Sequence, residues 1–332
     1  MDAEAAGMMQ FGAVGMIGAG AWGCALAQVA ATGGPVILWA RDPATAAVIT
    51  ATRQAPRLPT VTLGPGIIAT ADLADLAACD VLLVAVPAAA TAIVHGLAGQ
   101  RPRPLVLCAK GLGPGGVALA DLVASLLPDW PVALLSGPTF AAEVGCGLPA
   151  AAVVACRDAG LAAGLAARLG SPAFRLYTSS DMVGVALGGA VKNVLAIAAG
   201  VVAGHGLGDN ARAAVITRGF AEMTRFGIAL GADPATLAGL SGLGDLVLTC
   251  TGEASRNFRF GVALGRGATP AAATAASAGV AEGATTAPIL ANAAAKRQIE
   301  MPIAAAVADL VAGRTTVAAV VTRLLARPRR AE

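Results

Sequence analysis

Short runs of apolar residues alternate with helix-like stretches along the first 180 residues of the chain. Five of these runs end in a turn, at residues 11–20, 35–42, 81–87, 103–111 and 130–138. Runs that are continuously apolar, rather than alternating with polar residues, are typical of parallel strands covered on both faces. Strands that alternate with helices predict an α/β fold with a doubly wound sheet.

The second part of the chain has a different pattern. Beyond about residue 181, long Ala, Leu and Val stretches are broken by Gly-rich turns, and strand signals stop. This pattern predicts an all-α C-terminal domain. The alanine-rich segment 268–281 is interpreted as a helix or a connection. We therefore expect a flexible N-terminal extension over 1–12, an α/β domain over 13–185 and a helical domain over 186–332.

Composition narrows the class of protein. The chain has 332 residues, of which 56% are hydrophobic and only 3% aromatic, so Ala, Val and Leu carry the apolar content. The best apolar stretch, 81–94, contains a proline and is shorter than the roughly 20 residues that span a membrane. The N-terminus lacks the basic region and apolar core of a signal peptide. We expect a cytoplasmic protein without membrane insertion.

Charge and cysteine content exclude two further classes. A net charge of +3, spread thinly along the chain, argues against a nucleic-acid partner. The six cysteines are scattered, with no C-x-x-C pair and no metal-like clustering with histidines. We therefore expect reduced thiols that act as small apolar side chains, and no metal site.

A glycine-rich turn carries the first chemical signal. Gly18, Gly20 and Gly23 form the pattern G-x-G-x-x-G between an apolar strand and an alanine-rich helix. In dinucleotide-binding folds the first glycine permits a tight turn, the second lets the pyrophosphate approach, and the third lets helix and strand pack closely. Because a second strand follows about twenty residues further on, we expect a dinucleotide at this turn.

The end of the second predicted strand bears on cofactor choice. An acidic residue there would hold the ribose hydroxyls of NAD, whereas an arginine suits the 2′-phosphate of NADP. Arg41 lies at or just past this strand end, and Asp42 follows it. NADP is therefore favoured, while Asp42 keeps NAD open. A solvated Arg–Asp turn without a cofactor role is the third interpretation.

Later strands end where α/β sheets bind ligands. Residues 84–87 (Val-Ala-Val-Pro) end one strand, and Lys110 ends the next beside a glycine. Lys110 is either a ligand-binding group or a surface charge. Residues 134–144 end a strand in Ser-Gly-Pro and begin a helix at or near Thr139. Free backbone amides there suit an anion or the cofactor amide.

Two isolated charges mark the helical half. Lys192 is the only formally charged residue within 182–208, and Asp245 is the only one within 234–252. Because buried charges need partners, we expect the two to pair. The pair is either a structural ion pair or a proton donor tuned by burial. Lys192 is expected where the two domains meet.

A candidate anion site lies further along the helical half. Ser255 is predicted to cap a helix whose first turn carries Arg256 and Asn257. A guanidinium, an amide, a hydroxyl and a helix N-terminus together suit a phosphate, although an ordinary capped surface helix is the alternative. The two histidines are weaker candidates, since His95 is expected at a helix end and His205 in a structural turn.

Eight motifs follow one another along the chain: GAGAWGCALA, VAVP, AKGL, SGPTFAAEV, GGAVKNVLAIAAG, GLGDNARAAVITRG, LSGLGDLVLTCTGEASRN and GVAEG. Their order resembles that of bacterial NAD(P)-dependent glycerol-3-phosphate dehydrogenase, from about residue 14 to 325. The resemblance implies that 13–185 is a Rossmann-type dinucleotide-binding domain, that the helical domain over 186–332 binds the substrate, and that the protein is a homodimer. It also implies reversible reduction of dihydroxyacetone phosphate to sn-glycerol 3-phosphate with NAD or NADP, an oxidoreductase reaction that supplies phospholipid biosynthesis.

The resemblance assigns roles to individual residues. Lys192 would be the catalytic proton donor and acceptor, and Lys110 would contact both cofactor and substrate. The other substrate-binding residues would be Gly137, Thr139, Asp245, Ser255, Arg256 and Asn257. Beside the three glycines of the turn, the cofactor would contact Ala21, Trp22, Arg41, Ala141, Arg256, Val280 and Glu282. The family often has serine where this chain has Ala21, but alanine keeps the backbone amide that faces the phosphates.

Three rival functions differ in what they require. Another two-domain Rossmann dehydrogenase acting on a hydroxy acid would not demand a phosphorylated ketone. A non-enzymatic dinucleotide sensor would need no isolated Lys–Asp pair in the second domain, and this chain has one. A membrane-associated or scaffold protein would need a spanning segment or a basic amphipathic helix. A small phosphorylated three-carbon substrate remains the expected partner.

Overall fold

The chain divides into two structural units, Met1–Ala186 and Leu187–Glu332. The computed structural model describes residues 9–113, 116–276 and 281–326. The first unit contains the strands and the second contains helices, so the predicted fold class, a Rossmann-type sheet followed by an all-α domain, is confirmed.

An eight-stranded sheet forms the centre of the first unit, in the order β10-β9-β8-β7-β6-β1-β2-β5. A separate hairpin pairs β3 with β4. The strands are β1 Val14–Ile17, β2 Val36–Trp39, β3 Gln54–Ala55, β4 Leu58–Thr62, β5 Ile67–Thr70, β6 Val81–Val84, β7 Leu105–Leu107, β8 Val132–Ser136, β9 Ala150–Ala155 and β10 Phe174–Ser179. Since β1 pairs with β2 on one side and β6 on the other, the strand order reverses at β1.

The predicted strands are all present, and they run parallel to one another. The sequence did not indicate β9 and β10, which are parallel to each other, while β9 runs antiparallel to β8. Strand β9 is mostly alanine, and β10 lies at the edge of the sheet, where Arg175, Tyr177 and Thr178 are exposed. Strand β9 gave a weak strand signal because alanine is depleted in strands, and β10 lacks the continuous apolar run that marks a buried strand.

Helices flank this sheet. They are α1 Ala21–Ala30, α2 Pro43–Thr52, α3 Leu119–Leu126, α4 Ala141–Gly145 and α5 Ala159–Leu169, with 3-10 helices at Leu73–Ala78 and Ala88–Leu97. The core between α1, α5 and the sheet buries Val, Leu, Ile and Ala side chains, including Leu26, Leu38 and Leu165. Because β1, β2, β6, β7 and β8 are parallel, the loops that follow them all lie at the same edge of the sheet.

The N-terminal segment 9–12 packs against this unit. The amide of Gly12 donates to Asp80 Oδ2 at 2.9 Å, and its carbonyl accepts from Arg168 Nε at 2.8 Å. Phe11 packs against the core. The predicted flexible extension therefore has an ordered end at residues 9–12, and its first eight residues lie outside the described part of the chain.

The second unit is built from helices. They are α6 Met182–Gly204, which begins in the first unit, α7 Gly208–Ala229, α8 Pro234–Ala238, α9 Asp245–Thr251, α10 Arg256–Gly265, α11 Pro270–Ala276, α12 Glu282–Lys296, α13 Pro302–Val311 and α14 Val317–Leu325. A π-helical turn at Leu240–Gly244 leads into α9. Within the alanine-rich segment 268–281, residues 270–276 form α11, and 277–280 lie outside the described residues.

Helix α6 is the core helix of this unit. By length and composition it could cross a membrane, with a mean hydropathy of 1.9 over its most apolar 18 residues, but 94% of that window is buried inside the protein. Among the described residues it is the one helix that passes this test. Its apolar character is thus accounted for by packing, and Lys192 lies near its middle.

Candidate active site

The glycine turn has the backbone that a dinucleotide needs. Gly18 has φ +115°, and a Cβ there would lie 2.9 Å from the Ala85 carbonyl oxygen. A Cβ on Gly23 would lie 1.9 Å from the Gly18 oxygen, so only glycine allows α1 to pack on β1. At Gly20 a Cβ would meet nothing within 4 Å. That open side is where a ligand can approach the backbone.

The N-terminus of α1 provides the matching charge. Helix α1 begins at Ala21, and its N-cap, Gly20, makes no side-chain hydrogen bond to the first turn. The first amides of such a helix lack intrahelical partners and favour an anion. The turn also lies beside the point where the strand order reverses, the usual ligand position in open α/β sheets. These residues therefore fit a pyrophosphate.

The end of β2 separates the roles of its two charged residues. Asp42 accepts from the Ala44 amide at 3.1 Å and the Thr45 hydroxyl at 2.9 Å, and so caps α2. The Thr45 hydroxyl and the Ala44 amide lower the pKa of the Asp42 carboxyl below its usual value. Arg41 is exposed and makes no hydrogen bond to the described residues. The carboxylate is committed to the helix, while the guanidinium can meet a ligand.

Lys110 lies next to the turn that follows β8. Its Nζ donates to the Gly137 carbonyl at 2.7 Å and to Thr139 Oγ1 at 3.3 Å. Gly137 has φ +156°, and a Cβ there would lie 2.7 Å from Ala152 Cα. Helix α4 begins at Ala141, two residues later than the prediction at Thr139. The structure thus brings together three residues that the sequence singled out separately.

Lys192 is paired deep in the second unit. Its Nζ donates to Asp245 Oδ1 at 2.6 Å and to Thr249 Oγ1 at 2.9 Å. The Thr249 hydroxyl in turn donates to the Asp245 carbonyl at 2.6 Å. The side chains of Lys192 and Asp245 are 7% and 1% exposed. The predicted pairing of the two isolated charges is therefore confirmed. That Lys192 lies where the two domains meet stays a prediction.

The predicted phosphate site is built on the start of α10. Ser255 caps the helix, accepting from the Phe258 amide at 3.2 Å, as predicted. Asn257 is buried, and its Nδ2 donates to Asn193 Oδ1 at 3.0 Å while its Oδ1 accepts from the Gly283 amide at 2.9 Å. Arg256 is exposed. A buried, hydrogen-bonded amide and an exposed guanidinium thus lie at one helix N-terminus.

The remaining predicted cofactor residues are distributed over both units. Ala21 and Trp22 lie in the first turn of α1, Ala141 begins α4 and Glu282 begins α12. The indole Nε1 of Trp22 is buried without a hydrogen-bond partner among the described residues. Val280 lies outside them. Each unit gathers its own set of residues.

Sequence reasoning missed two buried partners, Thr249 and Asn193. Thr249 follows Asp245 by four residues, which on a helix places both on one face. Asn193 was visible beside Lys192, but nothing in the sequence linked it to Asn257. The spacing could have indicated the first, whereas the second depends on how α6 packs against α10.

The histidines and cysteines contribute little to the site. His95 lies in the last turn of a 3-10 helix and His205 Nδ1 is 3.2 Å from the Gly265 carbonyl. All six cysteines are free thiols, as expected, and Cys146 is the exposed one. Burial raises the pKa of Cys24 and of Cys250 to about 12. Among the described residues no cluster of metal-ligating side chains occurs.

A glycine turn at the switch point of a parallel sheet and a buried, paired lysine in a helical unit define a two-domain, dinucleotide-dependent dehydrogenase. Models of the N-terminal and C-terminal parts of NAD-dependent glycerol-3-phosphate dehydrogenase match residues 13–162 and 181–322. The chain belongs to the NAD-dependent glycerol-3-phosphate dehydrogenase family.

Individual relatives support this membership. The chain is 52% identical to "Glycerol-3-phosphate dehydrogenase [NAD(P)+]" of Caulobacter vibrioides over 98% of its own length and 100% of that protein. It is also 52% identical to the protein of the same name from Novosphingobium aromaticivorans, over 96% and 98%. The crystal structure of glycerol-3-phosphate dehydrogenase from Coxiella burnetii is 38% identical, with a TM-score of 0.91 over 95% of this chain and 99% of that one.

Proposed function

We propose that this chain is an NAD(P)-dependent oxidoreductase that interconverts dihydroxyacetone phosphate and sn-glycerol 3-phosphate. The observation that carries the proposal is the buried Lys192–Asp245 pair, with Nζ and Oδ1 at 2.6 Å. Relatives about half identical over nearly the whole chain carry the name of this activity. A buried ammonium that is held by a carboxylate and a hydroxyl is a positioned proton donor.

Lys192 protonates and stabilises the substrate oxygen. The bound dinucleotide supplies or accepts the hydride. As negative charge develops on the carbonyl oxygen of the ketone, Lys192 supplies both positive charge and a proton, and it takes the proton back in the other direction. Asp245 and Thr249 fix the direction of the ammonium, because each accepts one of its N–H bonds. We further propose that Asp245 orients a hydroxyl group of the substrate.

The substrate phosphate is assigned to Ser255, Arg256 and Asn257 at the start of α10. The Gly283 amide donates to Asn257 Oδ1, so the Nδ2 group points the other way and retains a second N–H beyond the one given to Asn193. Arg256 adds a positive charge, and the helix N-terminus favours an anion. Binding energy gained at this remote group can hold the reacting carbon in place.

The first unit is assigned the dinucleotide. The pyrophosphate would be held by the open backbone at Gly20 and the amides of Ala21, Trp22 and Gly23. The further proposed contacts are Arg41 and Ala141 in the first unit and Arg256, Val280 and Glu282 in the second. Lys110, with Gly137 and Thr139, is assigned to the boundary between cofactor and substrate, where its ammonium would contact both.

NADP is proposed as the preferred cofactor. Asp42 accepts two hydrogen bonds as the cap of α2, so its carboxylate already has partners in the protein. The exposed Arg41 guanidinium is suited to a 2′-phosphate, because charge-assisted hydrogen bonds from guanidinium to phosphate are strong. The sequence favoured NADP but kept NAD open because of Asp42, and the capping role of Asp42 supports NADP.

The biological setting is proposed from the family. The reaction yields the glycerol phosphate backbone of phospholipids, and we assign the enzyme to phospholipid biosynthesis in the cytoplasm, acting as a homodimer without membrane insertion. Gel filtration with light scattering tests the dimer. Recovery of the enzyme in the high-speed supernatant of lysed cells, rather than in the membrane pellet, tests the location.

Substrate-dependent oxidation of the reduced cofactor tests the activity. Purified protein is mixed with NADPH or NADH and either dihydroxyacetone phosphate, dihydroxyacetone or a 2-keto acid, and nicotinamide absorbance is followed. The proposal expects consumption with the phosphorylated ketone alone, and faster with NADPH. Equal rates with dihydroxyacetone would remove the phosphate site, and turnover of the keto acid instead would favour a hydroxy-acid dehydrogenase.

A further inference from the structure

Lys192 and Asp245 lie on two segments, α6 and the start of α9. About one helical turn before the pair, the backbones of these segments are in close contact. Gly188 lies four residues before Lys192 on α6, and Ser241 lies four residues before Asp245 on the π-helical turn. A Cβ at Gly188 would lie 2.5 Å from the Ser241 carbonyl oxygen and 2.9 Å from Gly242 Cα. Only a residue without a side chain permits this approach, since real Cβ atoms do not come closer than about 3 Å to backbone atoms.

The π-helical turn links this backbone contact to the position of Asp245, because α9 begins at Asp245 directly after the turn. Its hydrogen bond from the Gly244 amide to the Gly239 carbonyl, at 3.0 Å, spans one residue more than an α-helical bond. Such turns are rare and occur often at functional sites. The extra residue sets the rotation with which α9 begins, and Asp245 is the first residue of α9. A shift of the turn therefore moves the Asp245 carboxylate directly.

The contact is between backbones, and the Ser241 side chain takes no part in it. Ser241 is 1% exposed, and its hydroxyl has no hydrogen-bond partner among the described residues. The carbonyl of Ser241, by contrast, meets Gly188. This separates what the backbone does from what the side chain does, and each can be changed alone.

We propose that Gly188 is a positioning residue of the reaction, because its backbone contact with the turn at Ser241–Gly242 sets the distance between Lys192 and Asp245. This inference rests on the proposed role of Lys192 as proton donor. An alanine at 188 needs roughly 0.5 to 0.9 Å more room to reach ordinary contact distance, and the turn that leads to Asp245 must move by about that much. A misplacement of about 1 Å can lower turnover about 100-fold.

The helix offers a matched control at its other end. A Cβ at Gly204, also on α6, would lie 2.2 Å from the Val262 carbonyl oxygen, so Gly204→Ala imposes a comparable backbone clash. Gly204 is twelve residues beyond Lys192, where α6 packs against α10 at Val262. Both substitutions should lower the melting temperature, and only the one at 188 should change the chemistry of the folded enzyme.

The experiment compares kcat, the KM for dihydroxyacetone phosphate and NADPH affinity in the unmutated enzyme and five variants. Gly188→Ala is expected to lower kcat about 10- to 100-fold with KM and NADPH affinity within about threefold. Gly204→Ala is expected to keep kcat within about twofold. When Gly188→Ala is added to Asp245→Asn, we expect kcat to fall by less than a further threefold, because the Lys192–Asp245 pair through which Gly188 acts is already altered.

Other outcomes would overturn the inference. Equal kcat losses in Gly188→Ala and Gly204→Ala, or an undiminished loss in the Asp245→Asn background, would make Gly188 merely structural. Ser241→Ala keeps the backbone contact and should keep kcat within about twofold, even if Gly188→Ala does not fold; a tenfold loss would assign the role to the hydroxyl. An unmutated enzyme without turnover would instead contradict the proposed function itself.

Discussion

The glycine turn of the first unit and the lysine cluster of the second act through different kinds of atoms. At the turn, backbone amides and the missing side chain of Gly20 leave an open approach for an anion. At the cluster, the side chains of Lys192, Asp245 and Thr249 meet in a nearly closed interior. Backbone can bind a phosphate in many enzymes, whereas a buried proton donor needs particular side chains. The difference explains why the turn defines a class and the cluster defines a reaction.

We expect the largest effect from substitution of Asp245, the acidic member of the lysine cluster. Asp245→Asn leaves the buried Lys192 ammonium without its counter-charge. Breaking such a pair by removing one partner costs about 3–5 kcal/mol. We expect that loss in the free energy of unfolding, measured with urea, and a fall in kcat of about 100-fold or more, because a positioned acid contributes about that much.

A surface ion pair in the same unit is the control. Asp309 accepts from Arg314 and Arg323, whose side chains are 60% and 53% exposed. Asp309→Asn should change stability by less than about 1 kcal/mol and leave kcat as it is. Similar losses in the two variants would mean that burial does not distinguish the cluster.

Two glycines of the turn have different expected roles: Gly23 is needed for packing and Gly20 for cofactor binding. At Gly23, alanine meets the Gly18 carbonyl at 1.9 Å, and overpacking of this kind costs about 3 kcal/mol. At Gly20, alanine has free space and should fold with normal stability, yet its methyl occupies the approach to the backbone. We expect Gly20→Ala to weaken NADPH binding about tenfold or more in fluorescence titration. Normal affinity in that variant would place the pyrophosphate elsewhere.

The end of β2 gives a smaller effect on cofactor preference. Arg41→Ala should lower the ratio of kcat/KM for NADPH to that for NADH by about tenfold, as expected for the loss of one charge-assisted hydrogen bond. Asp42→Asn is the matched control, since asparagine is as good an N-cap as aspartate and the carboxylate is committed to α2. A shift of the ratio further toward NADPH in the control, through weaker use of NADH, would assign ribose binding to Asp42.

The smallest expected effect is that of thiol modification, because the six cysteines differ in exposure: Cys146 is exposed and the others are buried. Burial raises the pKa of Cys24 in the first unit and Cys250 in the second to about 12, so neither forms a reactive thiolate at pH 8. Cys146 is exposed. We expect a maleimide to modify one thiol per native chain, at Cys146 by mass spectrometry, with unchanged turnover. Modification of Cys250 before unfolding would show that the lysine cluster opens.

Sequence alone predicted what depends on local pattern. The Gly18–Gly23 turn, the five parallel strands and the Ser255 cap each follow from residues close together in the chain. The pairing of Lys192 with Asp245 also followed, because an isolated charge in an apolar helix has few ways to be stabilised. The family resemblance then added individual roles that pattern could not.

Long-range packing was beyond the sequence. The Asn193–Asn257–Gly283 hydrogen bonds join residues up to 64 positions apart in a single contact, and no local spacing encodes them. Strand β10 was missed because an edge strand exposes half of its residues. The capping role of Asp42 was missed, although an aspartate followed by a proline is a typical helix start, with the acid as N-cap and the proline at the first helical position.

The role of Lys192 is tested most directly by measuring turnover and NADPH binding on the same sample of Lys192→Ala. We expect NADPH affinity to stay within about threefold of the unmutated enzyme, because the cofactor contacts proposed in the first unit are unchanged. Reduction of dihydroxyacetone phosphate should fall at least about 1,000-fold, within the range that a general acid supplies. Turnover close to that of the unmutated enzyme, with normal NADPH binding, would contradict the assignment of Lys192 as the proton donor.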